Sequence, residues 1–279
     1  MKVGFVALVG RPNTGKSSLL NAIIGEKVSI VSAAPQTTRK TIRGIFTDEH
    51  MQAIFLDTPG LHEGGELLIE AINAQARKSL DQADVILRLI DSSRTPGEED
   101  ARIDTLLSRV TKPVVTVYTK SDLARARKLP ENAILVSDKD GEYDQLLAEI
   151  AHILPEGPML YDEDYYTDQD MHTRISEVIR EQSFLLLDEE IPHALFVEVE
   201  SIDETPKGLR VLAYVHVERD SQKRILIGKA GAKIQEISTA SRLILTDILD
   251  QPVHLFLRAK VTPNWRKNAY IVDALFPHA

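Results

Sequence analysis

The sequence predicts two units: an α/β unit with a doubly wound, mostly parallel sheet over residues 1–157, and a smaller α+β unit over residues 172–279. Three observations predict this. Short apolar runs alternate with helical periods through the first part, the pattern of a parallel sheet covered by helices on both faces. A glycine-bracketed loop, Gly10-Arg11-Pro12-Asn13-Thr14-Gly15-Lys16-Ser17, stands between the first strand and the first helix. After Pro155-Glu156-Gly157-Pro158 the order changes to helix, strand, strand, helix, helix, strand.

Taken in order, Phe5 to Val9 is too short for a helix and reads as a buried strand, and Leu19, Leu20, Ile23 and Ile24 follow at helical spacing. Lys27 to Val31 and Ser32 to Arg39 read as extended or irregular, and Pro35 to Arg39 carries no apolar period. Thr41–Thr47 and Gln52–Leu56 read as strands around the turn Asp48-Glu49-His50. A glycine-bearing loop (Leu61 to Glu66) and a helix over Leu67–Gln82 come next. Strands at Val85–Ile90, Pro113–Tyr118 and Asn132–Val136 alternate with helices at Glu98–Arg109 and Tyr143–Leu154. Residues 158–171, acidic and rich in tyrosine, read as a solvated linker. In the second part a helix spans Met171–Leu187. Leu195–Ile202 and Leu209–Glu218 pair through the turn Thr205-Pro206-Lys207-Gly208, and Val253–Val261 is a third strand.

Composition narrows the function classes. Over 279 residues, 43% hydrophobic and 27% charged content is typical of a soluble globular protein. The absence of cysteine excludes disulfides and thiolate metal sites. The eight histidines show no pair at metal-ligand spacing. Val3–Val9 is too short for a secretion signal, and no stretch is long enough to span a membrane. The net charge is −9, yet between Arg219 and Lys267 ten basic residues stand against four acidic ones. That stretch is either a surface that meets a polyanion or a solvated basic face.

The loop Gly10–Ser17, with Ser18 behind it, is a phosphate cradle. Its glycines let the backbone turn its amides inward, towards phosphate oxygens at the helix N-terminus. Lys16 supplies a point charge for β- and γ-phosphates, and the Ser17 hydroxyl is placed to ligate magnesium. Asp57-Thr58-Pro59-Gly60 ends a strand forty residues after Ser17. Asp57 can hold the magnesium, and the Gly60 amide can sense a γ-phosphate. Thr119-Lys120-Ser121-Asp122 ends another strand. A carboxylate there accepts from the ring N–H and 2-amino group of guanine, a donor pair that adenine lacks. The Lys120 stem can pack over the base. Ser137-Asp138-Lys139 ends the next strand, where backbone amides can meet the guanine oxygen.

In order and spacing these motifs resemble the translation-factor-like GTPases over residues 1 to about 155. The resemblance adds Thr38 as the magnesium-binding threonine of the second motif, so that Lys16, Thr38 and Gly60 become the catalytic set. It adds Leu61 to the nucleotide contacts. Two positions depart from the family pattern, Thr119 for asparagine and Asp138 for alanine. A threonine hydroxyl still braces the loop, whereas a carboxylate at 138 repels the guanine carbonyl unless it turns away. Leu61 stands where many signalling GTPases carry a water-orienting glutamine, so intrinsic hydrolysis is expected to be slow. Asn13 resembles the residue that holds a potassium ion in a subset of these enzymes; equally, it is a loop residue that tolerates its turn.

In the second part Ile227-Gly228-Lys229-Ala230-Gly231-Ala232-Lys233-Ile234 lies between two helices. Two glycines three apart allow a tight turn that a nucleic-acid backbone can approach. Lys229 and Lys233 serve phosphates, and Ile225, Ile234 and Ile237 can line a groove for unstacked bases. In its element order this resembles the single-strand clamp of type II KH domains.

Over nearly the whole chain the sequence resembles the Era family of ribosome-assembly GTPases. The supporting stretches are Gln36-Thr37-Thr38-Arg39, Asp57 to His62, Tyr166-Thr167-Asp168, Ile179-Arg180-Glu181 and Lys260-Val261 with Trp265-Arg266. The resemblance implies magnesium and GTP/GDP as ligands, and binding near the 3′ end of 16S ribosomal RNA. It further implies a role in 30S subunit biogenesis with RNA binding switched by nucleotide state, and a monomeric cytoplasmic protein in loose contact with the inner face of the membrane. Two rivals stay open on residues alone, a signalling switch whose second unit grips a protein, and an ATPase.

Overall fold

The computed structural model describes residues 1–31, 38–60, 64–124, 126, 128–187 and 191–276. It divides into two units, one built on Met1–Gly65 and Ile69–Asp168, the other on Gln169–Leu275.

The first unit begins with β1 (Lys2–Val9), α1 (Lys16–Ile24), β2 (Ile42–Thr47) and β3 (Met51–Asp57). It continues through α2 (Leu67–Gln82), β4 (Val85–Asp91), α3 (Glu98–Leu107), β5 (Val114–Thr119), β6 (Ile134–Leu135) and α4 (Asp144–Ile153). The sheet order is β2-β3-β1-β4-β5-β6. Only β2 runs antiparallel to its neighbour. Alternation along β1 explains why both faces need helices. Val6 and Leu8 pack with Leu19 and Leu20 of α1 and Ile150 of α4, whereas Ala7 and Val9 pack with Leu80 of α2 and Ile103 of α3. Because β1, β3, β4, β5 and β6 are parallel, Gly10, Asp57, Asp91, Thr119 and Ser137 all emerge at one edge of the sheet.

Two expectations change here. The strand expected over Asn132–Val136 shrinks to the two residues of β6, paired only through Val117 and Tyr118. The stretch read as a solvated linker is instead bound to the first unit from Leu160 to Asp168. Gln52 of β3, fully buried, accepts from the amides of Leu160 and Tyr161 and donates to the Tyr161 carbonyl. The Ile45 amide of β2 donates to the Tyr166 carbonyl at 2.9 Å, Thr167 Oγ1 donates to the Arg43 carbonyl, and Arg43 pairs with Asp168 at 2.7 Å. β2 is an edge strand, and its outward backbone groups need partners that a polar tail supplies.

The second unit contains α5 (Met171–Leu186), α6 (Ile191–Ala194), β7 (Phe196–Thr205), β8 (Gly208–Val217) and α7 (Asp220–Ile227). After the turn Lys229–Gly231 follow α8 (Ala232–Ile248), β9 (Val253–Val261) and, past a further turn at Trp265–Lys267, α9 (Ala269–Leu275). β7 and β8 form the expected hairpin, and β9 pairs parallel to β8. Val211, Ala213, Val215 and Val217 alternate inward and pack on Ile175, Val178 and Ile179 of α5 and on Ile237 and Leu245 of α8. The short α6 carries no period long enough to read from sequence.

Candidate functional site

The loop between β1 and α1 is held in shape from several sides. Gly10 is crowded: a Cβ there would stand 2.7 Å from the Leu89 carbonyl oxygen and 2.7 Å from Thr14 Oγ1. Asn13 has φ 62° and Gly15 φ 88°, both left-handed, and Gly15 caps the N-terminus of α1 without a side-chain bond to its amides. Thr14 Oγ1 donates to the Arg11 carbonyl at 2.9 Å. From β5, Thr119 Oγ1 donates to the Thr14 carbonyl at 2.6 Å, and Lys120 Nζ donates to the Asn13 carbonyl at 2.8 Å. Pulling the Thr14 carbonyl towards β5 turns the Gly15 amide the opposite way, because C=O and N–H are antiparallel across a trans peptide. Thr119 thus performs the bracing expected of its hydroxyl.

Lys16 Nζ is buried and donates to the carbonyls of Gly10 and Arg11 at 3.1 and 3.2 Å. Burial pulls its amine below the ordinary lysine value, against the opposing pull of Asp57. Arg11, assigned to the nucleotide, directs its guanidinium to Glu99 and Asp100 of α3 at 2.9 Å each. Asp100 also holds Arg88 of β4, buried beneath it, at 3.0 Å. Thr58, likewise assigned, uses its hydroxyl to hold the Leu8 carbonyl at 2.7 Å.

The oxygens expected to meet magnesium converge. Ser17 Oγ donates to Asp57 Oδ2 at 2.6 Å and lies 3.2 Å from Thr38 Oγ1. Asp57 is fully buried, and its Oδ1 has no hydrogen-bond partner among the described residues. Burial raises its carboxyl above the ordinary range, with Lys16 and the hydroxyls of Ser17, Ser29 and Thr38 opposing. Hard oxygen donors around an unsatisfied buried carboxylate suit a small divalent cation. Gly60 ends the described stretch behind Asp57; Leu61, and with it the missing glutamine, lies outside the described residues, as do Gln36, Thr37 and His62.

Beside the loop is a cavity of about 270 Å³. Gly15 and Ser18 line one side, and Lys120, Asp122, Asp138 and Lys139 the other. Asp122 accepts from Ser137 Oγ at 3.0 Å and from Lys139 Nζ at 2.8 Å, and the Lys139 bond holds its carboxyl below the ordinary range. The Ser121 amide donates to the Val136 carbonyl, which ties the two motifs together. Asp138 is exposed at the rim. Lys120 is aimed by a residue that sequence reasoning missed: Asp91, ending β4, accepts from Lys120 Nζ at 2.7 Å. Burial pushes the Asp91 carboxyl up, and the bonds from Lys120 and Ser93 outweigh it and hold it below its ordinary value. Its signal was available, an aspartate closing a buried strand as Asp57 does. Ser29 and Asn21, also missed, carry no such local signal.

In the second unit Gly228 has φ 72°, and a Cβ there would stand 2.6 Å from Lys233 Cβ and 2.9 Å from the Lys233 amide nitrogen. Ala230 has φ 52°, and Gly231, with φ 84°, caps α8 and has open space around it. Lys229 and Ala230 are exposed; Ile227, Lys233 and Ile234 are half-buried. Lys233 pairs with Glu236 at 2.8 Å. Ile225 is 54% exposed and available for a groove, but Ile237 is not. It is fully buried in the core with Leu245, because residues eight apart share a helix face.

A family described as 50S ribosome-binding GTPase matches residues 5–120, and a KH domain family matches residues 190–266. GTPase Era of Treponema denticola is 41% identical over 292 residues, covering 99% of each chain. GTPase Era of Thermoanaerobacter sp. (strain X514) is 40% identical over 289 residues, covering 98% of this chain and 96% of the relative. Among solved structures, a variant of Aquifex aeolicus Era bound to GDP and AlF4− matches with a TM-score of 0.92 at 34% identity, covering 100% of both chains. Era in complex with MgGDPNP and nucleotides 1506–1542 of 16S ribosomal RNA matches with a TM-score of 0.92 at 34% identity, covering 100% of this chain and 99% of that one.

Proposed function

The chain belongs to the Era family of GTPases, and from that premise we propose that it binds and hydrolyses GTP, grips the 3′ end of small-subunit ribosomal RNA, and serves assembly of the 30S subunit. The observation that carries the nucleotide half is the convergence of the braced loop, the Ser17–Thr38–Asp57 oxygens and the Asp122 cavity at one edge of a parallel sheet.

Each side chain has a task in this reading. Backbone amides of the Gly10–Ser17 loop, that of Gly15 aimed by Thr119, hold phosphate oxygens. Lys16 brings a positive charge into a buried place, where it acts strongly on phosphates. Ser17, Thr38 and Asp57 would hold magnesium, which neutralises charge on the β- and γ-phosphates. Asp122 accepts from guanine and thereby excludes adenine. The Gly60 amide and Thr38 sense the γ-phosphate, so that GTP and GDP favour different states of RNA binding. Leu61 cannot orient water, so turnover is slow without help. Asn13 is a candidate potassium ligand, and its φ of 62° is also the left-handed conformation asparagine tolerates. Faster turnover in potassium than in sodium supports the ion ligand; equal turnover removes it. In the second unit the Gly228–Gly231 turn takes the RNA backbone, with Lys229 and Lys233 beside it.

Two variants test the halves separately. Lys16→Ala is expected to abolish GTP binding in calorimetry, and a retained micromolar affinity would sink the nucleotide assignment. Gly228→Asp with Gly231→Asp is expected to remove binding of an RNA oligonucleotide carrying the 16S 3′ end while GTP turnover stays at the parent rate. Undiminished RNA affinity would remove the turn from the interface.

A further inference from the structure

Three hydroxyls surround the Asp57 carboxylate, and two of them belong to the proposed magnesium ligands. The third is Ser29. Its Oγ donates to Asp57 Oδ2 at 2.6 Å, and the residue is 1% exposed. Ser29 is set in place by Asn21. Asn21 Oδ1 accepts from the amides of Val28 and Ser29 at 2.9 and 2.8 Å, and Asn21 Nδ2 donates to the Ser29 carbonyl at 2.7 Å. Ser17 and Asn21 are four residues apart on α1 and so share one face of the helix. One helix face therefore delivers Ser17 to Asp57 directly and Ser29 to Asp57 through Asn21.

We propose that Ser29, clamped by Asn21, is a positioning residue for magnesium: it fixes the orientation of the Asp57 carboxylate. The inference rests on the reading of Ser17, Thr38 and Asp57 as the metal site. Ser17 also donates to Asp57 Oδ2, but in this reading its oxygen and that of Thr38 serve the cation, which leaves Ser29 as the donor whose task is the carboxylate. A donor to a buried carboxylate makes a charge-assisted bond, and such outer partners orient ligands and set metal affinity. Among the described residues Asp57 Oδ1 has no hydrogen-bond partner, and the bonds from Ser17 and Ser29 both fall on Oδ2.

The test is the magnesium dependence of release of a fluorescent GDP from the full chain. Ser29→Ala is expected to raise the magnesium concentration at half-maximal retention roughly tenfold, while release in excess EDTA equals that of the parent. Ser29→Cys, close to serine in size and a poor donor, is expected to behave as Ser29→Ala, and it carries the test alone should the alanine variant not fold. Ser29→Thr, which keeps the hydroxyl, is expected to restore the parent midpoint. A parent midpoint in both the alanine and cysteine variants overturns the proposal, as does a change in release that is equal in EDTA and in magnesium. Asp57→Asn is the reference. If it too keeps the parent midpoint, the metal site itself is misassigned; if it alone loses the dependence, only the role of Ser29 falls.

Discussion

The two glycine turns of this molecule, Gly10–Gly15 and Gly228–Gly231, are built on one plan and held in different ways. In each, the first glycine is crowded, Gly10 by the Leu89 carbonyl and Gly228 by the Lys233 backbone. In each, the second is left-handed, stands in open space and caps a helix, Gly15 on α1 and Gly231 on α8. The support differs. The first turn is clamped from a neighbouring strand by Thr119 and Lys120. The second is closed locally, by the Gly228 amide on the Arg224 carbonyl and the Gly231 amide on the Gly228 carbonyl. A loop that must bind a small polyanion in one geometry benefits from outside bracing, since preorganised donors lose little on binding. A turn that lets a long backbone pass needs chiefly to stay slim.

The comparison is broken or sharpened most by filling the crowded positions. Gly10→Ala and Gly228→Ala each force a Cβ against backbone atoms, an overpacking cost of about 1–3 kcal/mol, to which Gly228 adds its positive φ. GTP affinity of the first is expected to fall roughly 5- to 150-fold, and RNA affinity of the second further, because its positive φ adds to the cost. Near-parent affinity in both would mean the crowding is relieved at no cost and the shared plan has no consequence. The open positions should matter less. Gly15→Ala and Gly231→Ala pay only the left-handed strain, about 1–2 kcal/mol, so titrations should show losses of roughly 5- to 30-fold. An alanine already sits at positive φ next door, at Ala230. Equal losses at open and crowded glycines would refute the distinction. The smallest effect is expected from Thr119→Val, which removes one clamp on the first turn. The lost bond is worth about 1 kcal/mol, roughly a fivefold loss of GTP affinity with RNA affinity unchanged. No change would show that Lys120 braces the loop unaided.

Much of the site was legible because its chemistry is local. Gly10 to Ser17, Asp57 to Gly60 and Thr119 to Asp122 each carry their function within a few residues, and each falls at a strand end that apolar runs reveal. Partners far apart in the chain were not legible. Asp91 meets Lys120 because parallel strands bring their ends together, and Ser29 meets Asp57 because Asn21 of α1 sets it there. Ile237 was misread because an apolar residue near a binding turn looks like groove lining until the face of α8 is fixed by packing. The supposed linker was misread because its composition is that of a solvated segment, whereas the open edge of β2 and the buried amide of Gln52 claim it.

By itself, the sequence determined the doubly wound sheet, the hairpin and third strand of the second unit, the nucleotide motifs and the clamp turn. Each of these is encoded in periodicity or in residues adjacent along the chain. Only the tertiary structure decided how these parts are held. Asp91 aims Lys120, Arg11 turns to α3, Asp57 is buried among three hydroxyls, and Leu160–Asp168 closes the sheet edge. The physical reason is common to all four. Burial leaves polar groups that must find partners, and which partner is in reach depends on strand order and not on distance along the chain.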